Sequence, residues 1–157
     1  MNGAMFVAGL LLGLMFSASW VLALMRTCMI QIRRSPLSFD DTVQALEAAI
    51  HRAGWMLPDS RSLSDSLEKA EVHVPRRVHL IELCEPHHAA EVLADNRHMA
   101  CLMPCTLAVY EGDDGTVHVS KTNTRLMGRV FSGSVGRVMN AGVAKAEKAL
   151  ILEALGS

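Results

Sequence analysis

The chain has 157 residues with 15 basic and 16 acidic side chains, a net charge of −1, and a mean hydropathy of +0.24. That length excludes two full globular domains, and a pI near 6.6 excludes the strongly basic face that duplex nucleic acid requires, so no nucleic-acid partner is expected. The hydropathy is high for so small a chain, and its source is local: residues 1–25 contain no Asp, Glu, Lys or Arg, and the remainder is charged like an ordinary globular domain.

The uncharged run from Met5 to Met25 would span roughly 31 Å as a helix, which matches a bilayer core. A cleaved secretory signal needs a basic stretch ahead of its apolar run, and none is present. The reading is therefore a transmembrane helix over 1–25 with the lipid bilayer as partner, followed by a basic juxtamembrane segment over 26–34. Arg26, Arg33 and Arg34 precede the first acid, Asp40. Arginines that follow a span stay inside, which predicts a single-pass protein of the inner (cytoplasmic) membrane with its C-terminal domain cytoplasmic. Gly9, Gly13 and Ser17 recur every four residues and line one helix face. That face fits a homodimer packed through the membrane, or simple tolerance of small residues there.

A single domain is expected over 35–157. Ile30 to Arg34 reads as a first strand broken by Ser35-Pro36. Ser38 followed by Asp41 starts a helix whose apolar stripe is Val43, Leu46, Ala49 and Ile50, with Gly54 as its stop. Trp55 to Leu57 reads as a short strand, 63–70 as a short helix, and 77–83 as a strand whose inward face carries His79, Ile81 and Leu83. Pro86 opens a helix ending near Asp95. Strands over 106–111 and 116–120 flank Gly112-Asp113-Asp114-Gly115, a hairpin signal. A long amphipathic helix runs from Val135 to Leu155, with Gly142 as its weak point. The fold class is α/β of the α+β type, a two-layer sandwich of a mixed sheet with helices on one face, preceded by one transmembrane helix.

The P-loop, dinucleotide-binding, HExxH and CxxC motifs are absent, and no carboxylate pair or nucleophile–base set can be read, so no catalytic residue and no cofactor is named. Cys84 ends one strand and Cys105 begins another, ahead of a helix N-terminus that favours thiolate. These thiols suit a redox pair or, with His87 and His88, a soft-metal site; the alternative is inert buried cysteine. Pro104 reads as a rigid strand entry, open to a cis bond. Asn123, Arg125 and Gly133 lie in glycine-bearing turns whose backbone N–H groups suit an anion, although helix capping explains them equally well.

Ser35-Pro36-Leu37-Ser38-Phe39-Asp40-Asp41-Thr42-Val43, Gly54-Trp55, Leu83-Cys84-Glu85-Pro86, Met103-Pro104-Cys105 with Val109-Tyr110-Glu111, and Asn123 with Leu126-Met127-Gly128 stand in an order and spacing that resembles the family known as domain of unknown function 302, over roughly residues 33–152. The resemblance implies a compact two-layer α/β fold and marks Cys84, Pro86, Pro104 and Cys105 as motif positions; Cys101, His87 and His88 are outside the pattern. It implies no activity. The expected function is a membrane-anchored binding or thiol-linked module, with a non-catalytic scaffold dimerising through its membrane helix as the rival.

Overall fold

The computed structural model describes residues 2–156, with the side chains of 2–6, Ala8 and 24–26, Arg26 among them, outside the described set. It divides between Ile30 and Gln31 into two compact units. The first is α1 (Asn2–Cys28), a single helix whose described apolar side chains, such as Leu12, Phe16 and Trp20, are exposed. No helix among the described residues is long and apolar enough to cross a membrane. The expected segment is a helix, and its reading as a membrane span is not shown among the described residues. A Cβ placed on Gly9 or Gly13 meets nothing within 4 Å, and the Ser17 hydroxyl donates back to the Leu14 carbonyl at 3.0 Å.

The second unit is an α+β domain built on a five-stranded sheet. Its elements are β1 (Ile30–Arg34), α2 (Phe39–Arg52), β2 (Met56–Ser62), α3 (Leu63–Glu68), β3 (Val78–Cys84) and α4 (Pro86–Asp95), followed by a 3₁₀ segment (Arg97–Leu102). They continue with β4 (Cys105–Glu111), β5 (Val117–Thr122), α5 (Thr124–Val130), α6 (Gly133–Arg137), a π-helical turn (Val138–Val143) and α7 (Ala144–Leu155). Residues 31–34, read from the sequence as juxtamembrane, form most of the edge strand.

The strand order is β1-β5-β4-β3-β2, and the β2–β3, β3–β4 and β4–β5 pairings are all antiparallel. This corrects the mixed sheet expected from the alternation of strands and helices. The physical reason is that α3 and the α4–3₁₀ segment return the chain to an adjacent antiparallel strand, a connection that needs no crossover over the sheet. One sheet face carries Ile81, Leu83, Leu107, Val109, Val117 and Val119, all buried, and packs on the helices. The opposite face, with Leu80, Ala108, Tyr110 and His118, is half-exposed.

Local chemistry explains the helix ends. The Ser38 hydroxyl accepts from the Asp41 N–H at 3.2 Å and donates to the Asp41 carboxylate at 2.6 Å, which caps the helix through the serine side chain. At the other end Gly54 takes φ +73°, and the N–H groups of Trp55 and Gly54 bond back to the carbonyls of Ile50 and His51. That is a Schellman stop, with buried Trp55 as its hydrophobic contact. Between them Leu46, Ala49 and Ile50 are fully buried, and α2 packs on β2, β3, β4 and α7.

The long C-terminal helix is interrupted where Gly142 was its expected weak point. A Cβ on Gly142 would stand 2.4 Å from Nε2 of His88, so glycine here lets α4 and the π turn approach.

Candidate functional site

Register puts Cys105 opposite Leu83, with Cys84 one residue beyond it on the opposite pleat. The two cysteines therefore share one end of the sheet. Both line a small apolar cavity of about 30 Å³ with His88, Trp55 and Met103. The helix N-terminus does not favour thiolate here, contrary to expectation. Burial and then the Glu85 carboxylate push the Cys84 thiol up. Burial, followed by the Glu147 carboxylate, pushes Cys105 up to about 12.

Glu85 caps α4 by accepting the His88 N–H at 2.5 Å, and Pro86 occupies the first turn. Burial pushes the Glu85 carboxyl up, but the N–H groups of His88 and His87 outweigh it and hold the group below its ordinary value. His88 turns into the small cavity while His87 is exposed. Among the described residues no group of three or more His, Cys, Asp or Glu side chains is placed to hold a metal ion, so Cys84, Cys105, His87 and His88 do not assemble the expected set. All four cysteines are free thiols, and the Met103–Pro104 bond is cis, which fits the rigid strand entry.

The most unusual chemistry lies one step deeper, at residues the sequence did not mark. The Glu147 side chain is 2% exposed and the Lys121 side chain 9%, and their charged atoms stand 2.5 Å apart. The Lys121 ammonium also donates to Thr124 Oγ1 at 3.2 Å and to the Thr122 carbonyl at 3.4 Å, so its three N–H groups have three acceptors. Buried Thr124 donates its hydroxyl to the same Glu147 oxygen at 2.9 Å, and the same carboxylate is among the causes that raise the Cys105 thiol. The pair is satisfied from every side, which such deep burial requires. A signal existed in the sequence: Lys121 continues the inward parity of Val117 and Val119, and Glu147 sits four residues from both Val143 and Ile151 on the buried helix stripe.

Beside this pair opens a cleft of about 580 Å³. It lies where the helix layer stops short of the edge strand. Gln31, Ile32 and Arg33 of β1 form one wall, Val119 and Lys121 of β5 the floor, and α5, the π turn and α7 the other wall. Asn123 caps α5 by accepting the Leu126 N–H at 3.1 Å and so sets Thr124 inward and Arg125 outward. Gly128 brings α5 against the π turn, since a Cβ there would stand 2.7 Å from the Asn140 backbone nitrogen; Asn140 consequently lines the cleft.

The lining is cationic. Arg33, Arg125, Lys145 and Lys148 all reach it, and no Asp or Glu does. The side chains of these four make no hydrogen bond or ion pair with any described residue. Arg52, Arg61, Arg76, Arg77 and Arg137, by contrast, are all paired with carboxylates on the surface. The anion candidates therefore separate: Asn123 and Arg125 meet in the cleft, whereas Gly133, with φ +67° at the start of α6, lies outside it. Arg33, Lys145 and Lys148 were missed because β1, α5 and α7 bring them together only in three dimensions.

Comparison with known proteins agrees with this architecture. The crystal structure of an uncharacterized conserved protein DUF302 from Bacillus stearothermophilus superposes with a TM-score of 0.71 at 19% identity, covering 80% of this chain and 98% of that one, which shows a common fold. No curated protein matches this chain. The family described as Domain of unknown function DUF302 matches residues 31–151, from the first wall of the cleft to its last lining residue, and the chain belongs to that family.

Proposed function

We propose that the domain is a binding module for a small anionic ligand seated in the cleft between β1, β5, α5 and α7. The observation that carries this reading is four cations without a described partner around one concave site that has no carboxylate in its lining. A positive field in a concave, partly apolar site concentrates anions, and a volume of about 580 Å³ is in the range of small-molecule clefts. Lys121 belongs to the floor but is already satisfied by Glu147 and Thr124, so it holds the wall in place and leaves contact with the ligand to the outer four. The test is thermal unfolding of the full chain across phosphate, sulfate, citrate and chloride at constant ionic strength. A rise in Tm that depends on the concentration of a multivalent anion is expected; an unchanged Tm with every anion contradicts the reading.

The second element of the reading is attachment through α1 to the inner membrane, domain inside. The charge-free run from Met5 to Met25 and the arginines that follow it support this. The exposure of Gly9, Gly13 and Ser17 supports self-association along α1. Alkaline carbonate extraction of native membranes tests the attachment, and recovery of the chain in the supernatant removes it. A thiol-linked role is the weaker alternative, because Cys84 and Cys105 both hold their protons above the ordinary thiol range.

A further inference from the structure

We infer that the anion is an organic phosphate ester; this rests on the anion reading above and narrows its chemistry. Charge is the first argument. Arg33, Arg125, Lys145 and Lys148 stand around the cleft without described partners, so a monoanion leaves most of their charge uncompensated. A phosphate monoester brings about −1.5 to −2 and three strong acceptor oxygens.

Geometry is the second. The four cations come from three elements, and Lys145 and Lys148 are three residues apart on α7, neighbours whose repulsion an anion between them relieves. The polar atoms are donor-rich, with two guanidinium forks and two ammonium groups and no carboxylate, which matches a group offering only acceptors in several directions.

Size and lining complete the case for an ester over inorganic phosphate. A phosphate group, on the order of a few water volumes of about 30 Å³ each, fills a small part of the cleft. The rest is bounded partly by Ile32, Val119, Ala144 and Ile151, which suit an apolar substituent. A soluble phosphate ester and the headgroup of an anionic phospholipid share this chemistry.

The experiment is isothermal titration of the full chain in nonionic detergent, at constant ionic strength, with phenyl phosphate, benzoate, inorganic phosphate and dihexanoyl phosphatidic acid. Phenyl phosphate is expected to bind at least about tenfold more tightly than benzoate or inorganic phosphate, and to lose on the order of tenfold in Arg125→Ala and again in Lys148→Ala. Both positions are exposed, so both variants should keep the wild-type Tm. Dihexanoyl phosphatidic acid binding more tightly than phenyl phosphate supports the class and assigns a lipid source, and binding more weakly supports the class and assigns a soluble one. Benzoate equal to phenyl phosphate overturns the phosphate class and leaves the anion reading standing. Inorganic phosphate equal to phenyl phosphate overturns the ester. Absence of binding by all four overturns both readings.

Discussion

The Lys121 ammonium stands 2.5 Å from the Glu147 carboxylate, with both side chains almost wholly removed from solvent and with Thr124 bridging them. Charges taken so far from water hold the fold only while each has the other. Removing one partner leaves an uncompensated buried charge, at a cost of about 3–5 kcal/mol. Lys121→Met and Glu147→Leu should each lower the free energy of urea unfolding by that order, while the double variant loses much less than their sum. Additive losses would show that the two residues act independently.

Cys105 makes the same network sensitive to alkali. Its folded thiol is raised to about 12, above the ordinary value of 9.0 that the unfolded chain approaches. Between those values the unfolded state has released the proton and the folded state retains it, so stability falls as pH rises from about 9 to about 12 and is fully present below 9. Cys105→Ser, which does not titrate there, should flatten this part of the profile measured by urea unfolding at stepped pH. An unchanged slope would contradict the assignment.

Thiol labelling gives a kinetic counterpart. Cys101 is exposed, whereas Cys84 and Cys105 are partly covered and hold their protons. Under native conditions at pH 8, an aromatic disulfide reagent should modify Cys101 well before Cys105, because the thiolate is the attacking species. Mass spectrometry of the first modified species checks it. Modification of Cys105 ahead of Cys101 would restore a reactive-thiol reading of the Cys84–Cys105 edge.

Gly128 ties packing to the cleft. Gly128→Ala puts a methyl 2.7 Å from the Asn140 backbone nitrogen and 2.9 Å from its Cβ, so the π turn must shift, at about 1–3 kcal/mol. Anion affinity should fall with stability because Asn140 lines the cleft. The three atoms nearest a Cβ at Gly142 all belong to the His88 ring, a side chain that can turn aside, so Gly142→Ala should cost less. Chemical denaturation of both variants checks the order, and equal losses would contradict it.

The elements legible in the sequence are those governed by short-range chemistry. The Ser38–Asp41 cap, the Gly54 stop, the Pro86 helix start and the hairpin around Gly112–Gly115 all need only neighbours in the chain, and each stands where it was read. Parity along β3 also held, with Ile81 and Leu83 inward. The sheet's direction did not follow, because alternation of strands and helices fits crossover and return connections alike. The site was hidden for a related reason. Arg33 and Lys148 are 115 positions apart and share a cleft only because β1 lies beside β5 at the sheet edge. Lys121 and Glu147 went unmarked because a charge on a buried stripe is legible only once its partner is known.

The central claim is that anions bind in this cleft and nowhere else on the domain. Two-dimensional ¹H–¹⁵N NMR of the full chain in detergent micelles, titrated with phosphate at constant ionic strength, tests it most directly. Saturable shifts confined to the backbone and side-chain signals of Arg33, Asn123 to Arg125, Asn140, Lys145 and Lys148, and lost in Arg125→Ala/Lys148→Ala, are the predicted result. Shifts that do not saturate, or that centre on the half-exposed sheet face around Tyr110 and His118, would contradict it.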